Sequence, residues 1–144
     1  MNNIKNLFHK ISYVQYPLIL IALGYTIVPY IRGFDLFWPS VNQALIFMGL
    51  SISFSTLQDT TKVQNNLSKK IWESPKKGRR VLFFMFAFAL TLLLFGMYGF
   101  LIAKSGVLKE VAFGTLMLGI SYIGLLKSAI EMFENHRIDK NSAV

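Results

Sequence analysis

The sequence predicts an all-α integral membrane protein: a four-helix transmembrane bundle of two antiparallel hairpins, with both termini on the cytoplasmic side. Three observations predict it. Four long apolar runs cover most of the chain, each long enough to cross a bilayer. Charged residues make up only 15 % of the 144, where a soluble domain carries about 25 %. The basic residues also collect on one side. Of the 15 lysines and arginines, three (Arg32, Lys104, Lys109) lie in the two short turns; the rest lie near the N-terminus, in the stretch 62–80 and at the C-terminal end. Lysine and arginine mark cytoplasmic segments, so the stretch 62–80 and both ends are assigned to that side. At this length the chain is one domain, 1–144.

Residues 1–10 read as a short polar start. The first span covers 11–31 and is read as a retained helix, because it is too long for a signal-peptide core and no small-x-small site closes it. Pro17 falls in its first turns, where a missing N–H costs little. Pro29 near its far end is expected to kink or stop it. Tyrosines 13, 16, 25 and 30 gather toward its two ends, as interfacial aromatics do.

The second span covers 41–57. Ser40 is expected to cap it, with Gln43 three residues later completing a capping box. Leu57, Val63, Leu67 and Ile71 continue a helical spacing beyond the apolar run. An amphipathic extension to about residue 73 is therefore expected on the cytoplasmic face. Ser74-Pro75 restarts the chain, with serine as N-cap and proline in the first helical position.

The third span, 81–103, is the most uniformly apolar, and Gly96 and Gly99 would let another helix approach its outer end. It is read as the outside of the bundle. Residues 104–106 leave room only for a tight turn, with Ser105 and Gly106 supplying cap and bend. The fourth span, 107–133, is longer than a bilayer requires and must tilt or project. The polar tail beyond it is expected to fray.

Two faces are candidates for packing or for a polar pathway. One on the second span carries Asn42, Gly49, Ser53 and Thr56; one on the fourth carries Gly114, Ser121, Gly124 and Ser128. In lipid, small residues let backbones approach and polar ones bond across helices. The second and fourth spans are accordingly placed inside. A second candidate is the basic group Lys69, Lys70, Lys76, Lys77, Arg79 and Arg80, suited to anionic lipid headgroups. A third is an outer polar cluster of Arg32, Asp35, Lys109 and Glu110.

Several chemistries are excluded or disfavoured. With no cysteine there is no disulfide, thiol redox or thiolate metal chemistry. The two histidines, His9 and His136, lie in polar terminal segments without converging partners, so no metal site is expected. No cofactor is implied, since no phosphate loop or hydrolase motif is present. The middle of every span is free of charged residues, which argues against a pump that uses a buried carboxylate. Topology accounts for the charge of +8 without nucleic acid.

The function expected from these features is that of a non-enzymatic interaction or scaffold subunit, binding itself or another membrane protein. The alternatives are a homo-oligomeric channel or small-solute transporter lined by serine and threonine, and a lipid-binding or lipid-modifying protein. The expected location is a plasma membrane, a bacterial inner membrane in the first instance.

Overall fold

The computed structural model describes residues 2–61 and 66–139. Among them there are six α-helices and no strand: α1 (Asn2–Ser12), α2 (Gln15–Arg32), α3 (Phe37–Ser55), α4 (Asn66–Trp72), α5 (Pro75–Leu101) and α6 (Val107–His136), with a 3-10 turn at Phe34–Leu36 between α2 and α3. Four helical segments are long and apolar enough to cross a membrane. They make this a multi-pass helical membrane protein.

The start of the chain is helical rather than irregular. α1 ends in a turn in which Tyr13 and Val14 donate N–H bonds to Lys10 and Ile11. The Ser12 hydroxyl is buried and returns a 2.7 Å bond to the His9 carbonyl. α2 runs through Pro29 to Arg32 and stops at Gly33, whose φ of 119° ends the helix. Glycine adopts that backbone without steric cost, so Gly33 and not Pro29 supplies the stop.

α3 starts at Phe37, three residues before the expected cap. Ser40 is buried inside the helix, and no side-chain cap bond forms at its start. The capping box is therefore not used. Pro39 falls in the first turn, where the backbone N–H groups have no intrahelical acceptor to lose. The helix can thus begin upstream of the proline.

The continuous extension of this helix to residue 73 does not form either. α3 stops at Ser55. The hydroxyls of Ser55 and Thr56 turn back onto the carbonyls of Ile52 and Ser53, at 2.7 Å each. Asp59 Oδ1 then accepts bonds from the Thr61 N–H (3.0 Å) and hydroxyl (2.6 Å). Side-chain bonds of this kind compete with helix propagation. Lys62 and Val63 lie outside the described residues. The helical spacing around Leu67 and Ile71 reappears as the separate, short α4.

At Ser74-Pro75 the restart forms as read. The Lys77 N–H donates to Ser74 Oγ, and Pro75 opens α5. α5 thus begins six residues before the apolar run, so Lys76, Lys77, Arg79 and Arg80 occupy its first turns. Cations there oppose the helix dipole.

The last turn is closed by Gly106, whose φ of 87° precedes α6. Ser105 makes no cap bond. Residues 137–139 are tied down, while 140–144 of the tail lie outside the described residues. The Ile138 N–H donates to the Glu73 carbonyl at 3.2 Å, and Arg79 reaches Asp139 at 3.9 Å.

The spanning helices stand in a row. α2 packs on α3, α3 on α6, and α6 on α5, while other pairings of these four are marginal. The central pair is correspondingly better covered. Within an 18-residue apolar stretch of each, 11 % of residues are buried in the first and third spans, against 22 % and 28 % in the second and fourth. Large apolar side chains of α2 and α5, such as Leu20, Ile27, Phe83 and Leu94, point outward. In lipid that exposure is the expected state of a spanning surface.

Candidate functional site: the α3–α6 seam and the basic end

The seam between α3 and α6 is joined by three polar bonds between these helices and their ends. At one end the Gly114 N–H donates to Asn42 Oδ1 at 2.7 Å. A Cβ on Gly114 would lie 2.5 Å from the Asn42 carbonyl oxygen, so only glycine lets the asparagine so close. Farther along, Gly49 lies against the backbone of Met117 and Leu118. The Ser53 hydroxyl then donates to Ser121 Oγ at 2.9 Å, and the Ser121 hydroxyl donates in turn to the Met117 carbonyl at 2.8 Å. At the far end Ser128 donates to the Thr56 carbonyl at 3.3 Å, and the Thr56 side chain lies across from Gly124.

Asn42, Gly49, Ser53, Thr56, Gly114, Ser121, Gly124 and Ser128 therefore lie along one contact. Its chemistry is cohesive. Each hydroxyl has an acceptor, and glycine backbones fill the space between. Along the opposite side of α3, the buried Ser51 donates to the Gln15 carbonyl at the start of α2, at 2.9 Å.

The α5–α6 contact is built differently. Gly96 and Gly99 are buried against Leu116, Leu108 and Ala112, and Gly119 of α6 lies against Leu93. Phe88 meets Tyr122 edge to face at 5.1 Å. Near the basic end, Gly78 sits directly on the ring of Phe133.

The outer polar cluster is not assembled as a set of ion pairs. Arg32 and Asp35 flank the α2–α3 connection, while Lys109 and Glu110 stand on the first turn of α6; all four are exposed. Among the described residues no ion pair joins any two of them. Lys109 instead donates to the Phe100 carbonyl at 2.8 Å and lies over the Phe100 ring. It caps the end of α5, as a cation near a helix C-terminus does.

At the other end the basic residues form a structured surface. Lys69, Lys70, Lys76, Lys77, Arg79 and Arg80 are all exposed on α4 and the start of α5. Lys69 pairs with Glu73 at 3.8 Å, and Arg79 with Asp139. A half-open cavity of about 380 Å³ lies beside this surface, lined by Gln15, Ser55, Ser68, Trp72, Met85 and Ser128 among others. Its lining mixes Ser55, Ser68 and Ser128 with the apolar Met85, Leu125 and Met132. Sequence spacing alone did not point to it, because its walls come from five separate segments. Among the described residues no cluster of three or more metal-ligating side chains occurs.

Fold and seam together define the class: a small multi-pass membrane protein whose central helices are joined by hydroxyl and amide bonds. Comparison with protein-family models, with curated proteins and with solved structures gives no match in any of the three.

Proposed function

We propose that the protein is a non-enzymatic interaction subunit of a membrane assembly, built of two antiparallel hairpins with both termini in the cytoplasm. The register supports this topology. Residue numbers rise together across α3–α6, where Asn42 meets Gly114 and Ser53 meets Ser121. They run oppositely across α5–α6, where Gly99 meets Ala112 and Gly78 meets Phe133. Tyr25 stacks on Phe47 while Gln15 meets Ser51, the antiparallel sense for α2–α3. The concentration of lysine and arginine at the α4 end supports a cytoplasmic assignment for that side. A plasma membrane such as a bacterial inner membrane suits that charge bias.

The observation that carries the interaction role is the open row. The polar groups of the centre are used within the chain, while α2 and α5 each pack closely on one spanning helix and have broad apolar flanks. Such flanks accept lipid or a neighbouring chain, another copy or a different membrane protein. A solute path through a single chain is disfavoured by Gly49 and Gly114 meeting the opposite backbone. A lipid-binding role is the second reading, favoured by the half-open cavity at the basic end.

The test is the mass of the particle in a native nanodisc, with every co-purifying chain identified. A defined oligomer or a stable hetero-complex is expected. A strictly monomeric particle with no partner overturns the role.

A further inference from the structure

α1 has a face that the bundle leaves bare. Ile4, Leu7, Phe8 and Ile11 follow the i, i+3, i+4, i+7 spacing and share one side of the helix, whereas Lys5, Asn6, His9 and Lys10 occupy the other. Ile4 is 59 % exposed, Leu7 56 % and Phe8 46 %. A soluble helix would turn such a stripe inward. Here contact with α3 is slight.

The placement of α1 identifies what covers the stripe. Lys5 and Phe8 border a second cavity, of about 330 Å³, together with Asp59, Thr60 and Glu131. This puts α1 at the same end as the basic surface of α4 and α5. The turn at Tyr13 and Val14 separates it from α2. Tyr13 and Tyr16, stacked on each other and more than half exposed, stand at that junction. Interfacial aromatics mark the headgroup level. The bare stripe therefore precedes the outward apolar surface of α2, across a junction marked by these tyrosines. The acids near α1 are Asp59 and Glu131, both across the cavity from Lys5; Glu131 pairs with Lys127. Lys10 makes no such approach and is exposed.

We infer that α1 lies in the plane of the membrane at the basic end, with Ile4, Leu7 and Phe8 in the boundary between acyl chains and headgroups and Lys10 among anionic headgroups. Short amphipathic helices with basic polar faces bind membranes in this way, through apolar burial plus attraction to anionic lipid. α1 is then a lipid-contacting anchor at the start of the first apolar segment, Ile4–Arg32. Its attachment depends on the charge of the leaflet.

The chain has no cysteine, so single cysteines can be introduced for spin labels without background. Leu7→Cys, Asn6→Cys and His9→Cys are prepared in the full chain and reconstituted into nanodiscs of phosphatidylglycerol and phosphatidylcholine. Accessibility to oxygen, which partitions into lipid, is compared with accessibility to a water-soluble nickel chelate. The Leu7 position is expected to favour oxygen, and the Asn6 and His9 positions the chelate. Equal chelate access at all three overturns the inference, as does a Leu7 label shielded from both reagents, which would place the stripe against protein. A second arm uses Lys10→Gln in the Leu7→Cys background. The ratio of inserted to free α1 is expected to fall roughly fivefold, the effect of about one basic residue at an anionic surface. The same ratio in pure phosphatidylcholine and with Lys10→Gln would overturn the anionic-lipid part. A monomeric particle, which would end the interaction-subunit role, leaves all these outcomes unchanged.

Discussion

Toward α3, helix α6 presents Gly114, Ser121 and Ser128, each bonded across the seam or to its partner's backbone. Toward α5 it presents Ala112, Leu116 and Gly119, which meet Gly99, Gly96 and Leu93 through apolar contact. One helix thus joins two neighbours by two means. In lipid there is little hydrophobic drive between helices, so association rests on close packing and interhelical hydrogen bonds. The α3 side uses both; the α5 side relies on packing. The difference teaches that polar residues on a spanning helix can mark a joint, with no need of a path.

The largest effects should come from filling the glycine contacts, which both seams share. A Cβ at Gly114 or Gly99 would lie 2.5 Å from a carbonyl oxygen on the facing helix, Asn42 in one case and Leu108 in the other. Gly114→Leu and Gly99→Leu are each expected to cost more than the ~1–3 kcal/mol of ordinary overpacking, since backbone must move. Thermal unfolding in detergent measures it. An unchanged midpoint for Gly114→Leu would mean that α3 and α6 are not in contact.

Next in size is Asn42→Leu, which removes the acceptor of the Gly114 N–H. A loss of about 1–2 kcal/mol is expected, the upper range for polar contacts between membrane helices. Thr91→Val on α5 is the control. Its hydroxyl bonds only its own helix at Ala87, and a change within about 0.5 kcal/mol is expected. Equal effects at the two sites would erase the distinction between the seams.

Smaller still is the coupling between Ser53 and Ser121. A double-mutant cycle with Ser53→Ala and Ser121→Ala should return about 0.6 kcal/mol, the average for such pairs in membranes. A coupling of zero would reduce the α3 seam to packing alone, like its counterpart. The smallest effect belongs to Arg79→Gln, which breaks a 3.9 Å pair whose side chains are 70 % and 40 % exposed. A change between about 0 and 1 kcal/mol is expected, vanishing in high salt.

Much of this molecule is legible in its sequence because lipid imposes strong rules. Uninterrupted apolar runs give the spans, and serine before proline gives the start of α5. The small and polar positions of the second and fourth spans fall on facing sides of α3 and α6. Other features depend on competition between local and distant contacts. Ser40 has the spacing of a cap, yet the chain turns earlier at Phe34–Leu36 and buries it. The spacing of Leu67 and Ile71 is helical, but hydroxyl groups and Asp59 end α3 before it. α1 escapes a reading that weighs polarity alone, since its four apolar residues are diluted among lysines and asparagines. The lateral order of the helices is fixed by three-dimensional contact and has no local signal.

Every polar bond across the central seam joins positions 68 or 72 residues apart. None of them can form while only the first half of the chain has been made. During synthesis α2 and α3 must therefore wait in the bilayer as an incomplete pair, with the Asn42 side-chain oxygen lacking its final donor and the Ser53 hydroxyl lacking its final acceptor. Emergence of α6 completes the molecule. A chain truncated before Gly114 would leave the Asn42 oxygen and the Ser53 hydroxyl without these partners.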